Sequence, residues 1–430
     1  MSFLPKRHIA GTGLLIACIL NVVAQPQTDF WHFGMKAGVN FNSGAPVAFT
    51  NSQLSDPSTV GEGCSSISDA SGNLLFYTNG VKAWDKNDNV MPAGTGLLGH
   101  GSCTQSCVIV PFPANNSKYY VFTNGADASN INREGLNYSV VDMSLNGGLG
   151  DVTVKNTNIV PKDKTTEKLA AIKHCNGKDY WVVTHESGNN TFDAFLVTST
   201  GVTSAAVKSN IGIVHTSNDK LGYMKISADG KKLAVAVFGK QVELFDFDNS
   251  TGTVTNPMTI TAATAVAKSY YGVEFSPDRS KLYVTTFGSA FLGSGQLFQF
   301  NLNAGSVAAI NASAVFISSP ATMIGTVQLA SNGKIYLTKS VGTWLGVINN
   351  PNNAGLACNY VNNAVSLAGK NSGLGLPNFV QSFFYTPPSR VPTSFRYKST
   401  CFSSLTSFSI NDTSKIQSVA WNFNDPSSTN

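Results

Sequence analysis

His174, His185 and His215, with Glu167, Glu186 and Asp219 nearby, form the most suggestive titratable group in the sequence. Three imidazoles can complete a zinc shell, and one can serve as a general base near neutral pH. The spacings of 11 and 30 residues match no ligand motif, however, and the three would have to come from separate hairpins. The plainer reading ends a strand at Thr184-His185-Glu186 and makes the other two polar loop or core residues. The three histidines therefore stay as candidate ligand contacts, with no metal and no cofactor expected. Asp69, Asp229 and Asp278 recur at equivalent places, each after a strand and before a Gly or Ser, without a D-x-D-x-D run. That is the pattern of a turn cap rather than of a calcium loop. The glycine clusters at 147–150 and 369–375 lack a Walker lysine, and no Gly-x-Ser-x-Gly elbow occurs. Trp84 and Trp344, lying near turns, are the aromatic candidates for stacking on a sugar ring. Trp181 and Trp421 sit in alternating strands and belong to a core.

The elements that must position such residues follow one grammar. Segments 66–77, 225–235, 274–284 and 328–337 each read as an apolar strand, a turn of Ser, Asp, Asn and Gly, and a second aliphatic or aromatic strand. Each is a hairpin, because Asp and Asn cap such turns and Gly accepts the positive φ that they demand. Looser copies lie at 107–122 and 171–183. First strands aligned on Ser66, Cys107, Ala171, Lys225, Glu274, Val327 and Val380 are separated by 41, 64, 54, 49, 53 and 53 residues. Seven units at this period are the signature of a β-propeller. A set of unrelated hairpins in a sandwich is the competing reading, but one sandwich core holds only about 100 residues. Phe30-Trp31-His32-Phe33 has no partner strand before it. It is expected to supply outer strands to the blade completed by a strand over 378–384, so that both ends close the ring. No long helical pattern is present, and only 162–171 suggests a short turn.

Composition narrows the function classes. Charged residues make up 12% of 430, about half the usual ~25%, so uncharged polar side chains must supply solubility. The net charge of +5 includes Lys6 and Arg7 of an N-terminal leader. A coiled coil, a charged disordered tail and a nucleic-acid module are all excluded on these grounds. The basic start, the apolar run to Ala24 and the following Gln25-Pro26 predict a signal peptide over 1–24, with acylation of Cys18 as the alternative. No other segment approaches membrane-spanning length. Cys64, Cys103, Cys107, Cys175, Cys358 and Cys401 remain, and in an exported chain they can form disulfides. Cys103 and Cys107 would lie ~13 Å apart in an extended segment, which is beyond disulfide reach. The expected architecture is all-β: a seven-bladed β-propeller over 25–386, a proline-rich linker over 387–394, and the truncated start of an Ig-like β-sandwich over 395–430.

Several stretches carry a family resemblance: Trp31-His32-Phe33-Gly34, Gly72-Asn73-Leu74-Leu75-Phe76-Tyr77, Asp179-Tyr180-Trp181-Val182-Val183, Tyr271-Gly272-Val273-Glu274-Phe275-Ser276-Pro277-Asp278 and Gly375-Leu376-Pro377-Asn378-Phe379. They resemble secreted and surface proteins of the Bacteroidota with an N-terminal propeller-like region followed by PKD domains, associated with gliding motility and type IX secretion. Trp421-Asn422-Phe423-Asn424-Asp425 looks like the PKD pattern Trp-x-Phe-Gly-Asp, with Asn424 in place of Gly. The resemblance implies a secreted or outer-membrane surface location and, as partner, the type IX machinery. It carries no enzymatic activity. The expected function is a surface binding or adhesion module for a glycan or other surface ligand; the alternative is a secreted hydrolase or lyase acting on polysaccharide.

Overall fold

The computed structural model describes residues 26–55, 61–126, 134–265, 268–288, 294–385, 395–398 and 407–410. The leader, Cys401, Trp421 and the PKD-like motif lie outside them.

Seven antiparallel sheets follow one another along the unit Val23–Thr386. The first holds β1 (Phe30–Phe33), β2 (Ala37–Asn40) and β3 (Val47–Phe49). The second holds β4 (Ser65–Ser68), β5 (Leu74–Thr78), β6 (Lys82–Asp85) and β7 (Val90–Thr95). The third holds β8 (Cys107–Pro111), β9 (Lys118–Asn124), β10 (Leu136–Asp142) and β11 (Asp151–Val160). In the fourth, β12 (Thr165–Lys173), β13 (Tyr180–Glu186), β14 (Thr191–Thr198) and β15 (Gly201–Val202) run in order, and β16 (Val207–Asn210) also pairs with β14. The fifth holds β17 (Met224–Ile226), β18 (Lys232–Val237), β19 (Gln241–Asp248) and β20 (Thr253–Ile260). The sixth holds β21 (Tyr270–Phe275), β22 (Lys281–Thr286), β23 (Gln296–Asn301) and β24 (Val315–Ser318). The seventh holds β25 (Ile324–Leu329), β26 (Ile335–Lys339), β27 (Trp344–Ile348) and β28 (Tyr360–Ser366). The first strands β4, β8, β12, β17, β21 and β25 touch in succession and line the hub. This is a seven-bladed β-propeller. The one described α-helix, α1 (Val307–Ala312), is capped by the Ser306 hydroxyl and lies in the β23–β24 connection.

The repeated aspartates cap turns. Asp69 accepts from the backbone N–H groups of Ser71 and Asn73 at 2.8 and 2.9 Å, and Asp278 accepts from Ser280 N–H at 3.0 Å. Gly72 takes the positive φ of +83° between them. The short turn expected within 162–171 is confined to Lys162 and Asp163, where Lys164 N–H donates to Pro161 O at 3.2 Å, and residues from Thr165 onward belong to strand β12 at the hub.

Ring closure joins both ends of the unit, though not as expected. Residues 378–384 form no blade strand: Val380 makes a single parallel bridge to Ala171, and Gln381–Phe384 is a 3-10 turn. The apolar pattern of Phe379, Val380, Phe383 and Phe384 reflects burial at the hub, not ladder pairing. Closure occurs earlier in the chain. Met35 bridges Asn371, Thr326 N–H donates to Leu374 O at 2.9 Å, and Leu374 N–H donates to Gly61 O at 3.1 Å. Gly375 passes so close to the Glu62 backbone that a Cβ there would sit 1.6 Å from its carbonyl oxygen. Around this seam Trp31 packs on Phe41, Tyr336 and Phe379.

In Pro387–Asn430 the described residues form one two-stranded antiparallel sheet, β29 (Phe395–Lys398) against β30 (Ser407–Ile410). Among the described cysteines Cys64, Cys103, Cys107 and Cys358 are buried free thiols and Cys175 is exposed. Cys103 and Cys107 flank a turn, so the segment between them is not extended.

Candidate functional site

The period-2 alternation of β1 sends Trp31 and Phe33 into the core shared with the seventh sheet, and Phe30 and His32 to the opposite face. His32 pairs with Gly38 of β2, which pairs with Phe49 of β3, and Phe30, Asn40 and Val47 form the next row. Gly38 is required here because the Phe49 ring packs directly against it: a Cβ would fall 2.1 to 2.2 Å from ring carbons. The Phe49 ring thus reaches His32, centroid to centroid 4.8 Å, and Phe30 at 6.0 Å. This face forms one wall of a cleft of about 620 Å³, within the range of small-ligand sites. The opposing wall is made by the β4–β5 and β6–β7 turns, with Asp69, Asn73, Lys86, Asn87 and Asp88.

The cleft floor is polar in an unusual way. His32 is 1% exposed and stacks on Tyr77 at 3.7 Å, and Tyr77 stacks on Trp84 at 5.4 Å. Neither ring nitrogen of His32 has a hydrogen-bond partner among the described residues. Burial holds its pKa down at about 3, so the imidazole is neutral and offers one N–H and one lone pair. Asp88 is engaged by the Tyr77 hydroxyl at 2.8 Å and the Asn51 amide at 2.6 Å.

A second polar cluster fills the hub. The Tyr271 hydroxyl donates to Glu62 Oε1 at 2.5 Å, while Glu167 Oε2 accepts from Thr104 N–H and Oγ1 at 2.8 and 2.7 Å. Burial, and then the neighbouring charge of Glu167, push the Glu62 carboxyl up to about 8. Burial also lowers the Lys168 ammonium to about 7, although it donates to the carbonyls of Asp219, Lys220 and Leu221. Gln105 bonds Leu169 N–H and both backbone groups of Met224, tying the third, fourth and fifth sheets together. A carboxyl with a raised folded pKa binds more protons folded than unfolded, so its contribution weakens stability as pH rises from about 4.5 to about 8. Replacing Glu62 by Gln is expected to flatten that decline, as read by urea unfolding across pH; an unchanged slope would show that Glu62 is ionised in the fold.

The sequence candidates divide. His185 and His215 are brought together, fully buried and stacked at 3.8 Å, with His215 Nε2 3.7 Å from Glu243 Oε2. The rings lie face to face instead of converging, and among the described residues no three His, Cys, Asp or Glu form a metal shell. Burial holds His185 at about 3 and His215 lower still. Of their companions, Glu186 pairs with Lys208 and Asp219 with Lys240. His174 stands apart in the β12–β13 turn, where its Nδ1 accepts from Asn176 N–H at 2.9 Å. Trp84, 6% exposed, is a core residue beneath the cleft, and Trp344, 41% exposed, is a surface residue on β27. The Phe30, His32 and Phe49 wall was not anticipated, and its one sequence signal is the alternation within Phe30-Trp31-His32-Phe33.

No protein-family model matches the chain, and no curated protein matches it. Solved structures do. A candidate 6-phosphogluconolactonase of Bacteroides fragilis is 11% identical with a TM-score of 0.51, covering 81% of this chain and 97% of its own. A second such protein, from Bacteroides uniformis, is 13% identical with a TM-score of 0.47 over 79% of this chain and 98% of its own. At 11% identity the first likeness shows the fold alone.

Proposed function

We propose that the protein is an extracellular binding module that takes carbohydrate in the cleft between its first and second sheets. The observation that carries the reading is the cleft itself: Phe49 packed on Gly38 beside a buried His32 that has no partner among the described residues, with Asn, Asp and Lys side chains completing the lining. An aromatic face with a few convergent polar groups is what a sugar ring with its hydroxyls needs. Export through the leader, a PKD spacer and type IX secretion belong to the same proposal. Among the described residues no helix is long and apolar enough to cross a membrane.

The neighbouring Glu62 and Glu167 favour a second reading, a polysaccharide-cleaving enzyme working at the hub with the raised Glu62 carboxyl as its acid. Both side chains are buried and already bonded to Tyr271 and Thr104, so the cleft is the better site. A glycan array run beside a polysaccharide hydrolysis panel separates them. The expected result is binding without product release, weakened about tenfold or more by Phe49→Ala, which corresponds to about 1.4 kcal/mol. Product release abolished by Glu62→Gln would overturn the binding reading.

A further inference from the structure

Three properties of the cleft bear on which carbohydrate it accepts. First, its charged groups are Asp69, Asp88 and Lys86, an excess of carboxylate. The two carboxylates are held in place, Asp69 by Ser71 and Asn73 and Asp88 by Tyr77 and Asn51, so they cannot turn away from an incoming anion. Second, His32 presents a nearly fully buried imidazole with no hydrogen-bond partner for either nitrogen among the described residues, between Tyr77 and Phe49. A neutral imidazole can donate once and accept once. A hydroxyl, itself donor and acceptor, can satisfy either nitrogen, whereas a carboxylate or sulfate can only accept. Third, the Phe49 face supplies area without charge.

We propose that this cleft selects uncharged glycans over uronic-acid or sulfated ones, with His32 reading a sugar hydroxyl at its floor. The proposal rests on the carbohydrate reading above. A ligand hydroxyl that reaches a His32 nitrogen would satisfy a buried polar group, which is where a hydrogen bond contributes most. Uronic-acid and sulfated sugars keep hydroxyls that can pair with His32 as well, so His32 sets the affinity for a sugar and the selectivity comes from repulsion by Asp69 and Asp88, which weakens with salt.

The test is calorimetric titration of the full chain with cellohexaose, xylohexaose, mannohexaose and laminarihexaose, against hexagalacturonate and a carrageenan hexasaccharide. At least one neutral oligosaccharide is expected to bind, with the charged ones at least about tenfold weaker at low salt and the gap narrowing as salt rises. His32→Phe is expected to weaken neutral binding about tenfold or more, with folding checked by circular dichroism. Asp69→Asn, on the rim, is expected to narrow the gap between neutral and charged sugars, and so tests the charge argument should His32→Phe fail to fold. A charged oligosaccharide that binds as tightly as the neutral ones, and is lost with Phe49→Ala, overturns the selectivity while the carbohydrate reading stands. Binding indifferent to Phe49→Ala, or no binding by any of the six, overturns the carbohydrate reading itself.

Discussion

Replacing Lys225 by Met is expected to cost about 3–5 kcal/mol, enough to unfold much of a domain whose total stability is of order 5–15 kcal/mol. The Lys225 ammonium is fully buried, lies 3.2 Å from Glu274 Oε2 and bonds Gln328 Oε1, so one charge links the fifth, sixth and seventh blades. Met fills a similar volume but leaves the Glu274 carboxylate buried without its counter-ion. Backbone N–H groups of Phe275 and Leu329 still reach that carboxylate, at 3.0 and 3.1 Å, and set the lower end of the range. Glu274→Gln is expected to cost less, because burial already lowers the Lys225 pKa and the lysine can shed its proton. Urea unfolding of both variants and of Lys225→Met/Glu274→Leu checks the pair. Recovery in the double variant is expected, and a Lys225→Met loss below about 1 kcal/mol would show that water reaches the pair.

Trp31→Ala is expected to cost about 3–5 kcal/mol, the range for removing a large buried aromatic. Trp31 is fully buried where the two ends of the ring meet: its ring contacts Phe41 from β2–β3, Tyr336 of β26 and Phe379 of the closing segment, and its Nε1 donates to Thr28 O at 2.8 Å. The cavity would therefore open on the closure seam, not within one blade. Trp344→Ala, on an exposed strand end, is the internal comparison and is expected to change stability by less than about 0.5 kcal/mol. Equal losses in the two variants would mean that the seam can collapse around the missing ring.

The hairpin grammar was legible because turn chemistry is local. Asp69, Asp229 and Asp278 mark the turns that place β4–β5, β17–β18 and β21–β22, and six of seven aligned first strands are the hub strands of their sheets. The seventh alignment, on Val380, misled because an apolar segment buried at a hub has the same composition as a strand. The two tryptophans near turns could not be told apart: Trp84 is covered by Tyr77, which only the β5–β6 register reveals. His185 and His215 illustrate the opposite limit. A spacing of 30 matches no motif, yet successive strands fold back and bring the rings into contact. The cleft depends on the row His32, Gly38 and Phe49 across three strands, a relation set by register that no single stretch of sequence contains.

The most direct measurement is a crystal structure of the protein soaked with whichever oligosaccharide binds in calorimetry. A sugar ring is expected against the Phe49 face, with a hydroxyl within hydrogen-bond distance of a His32 nitrogen and the Asp69 and Asp88 wall opposite. Sugar density at the hub beside Glu62 and Glu167, or on the surface around Trp344, with the cleft empty, would contradict the account.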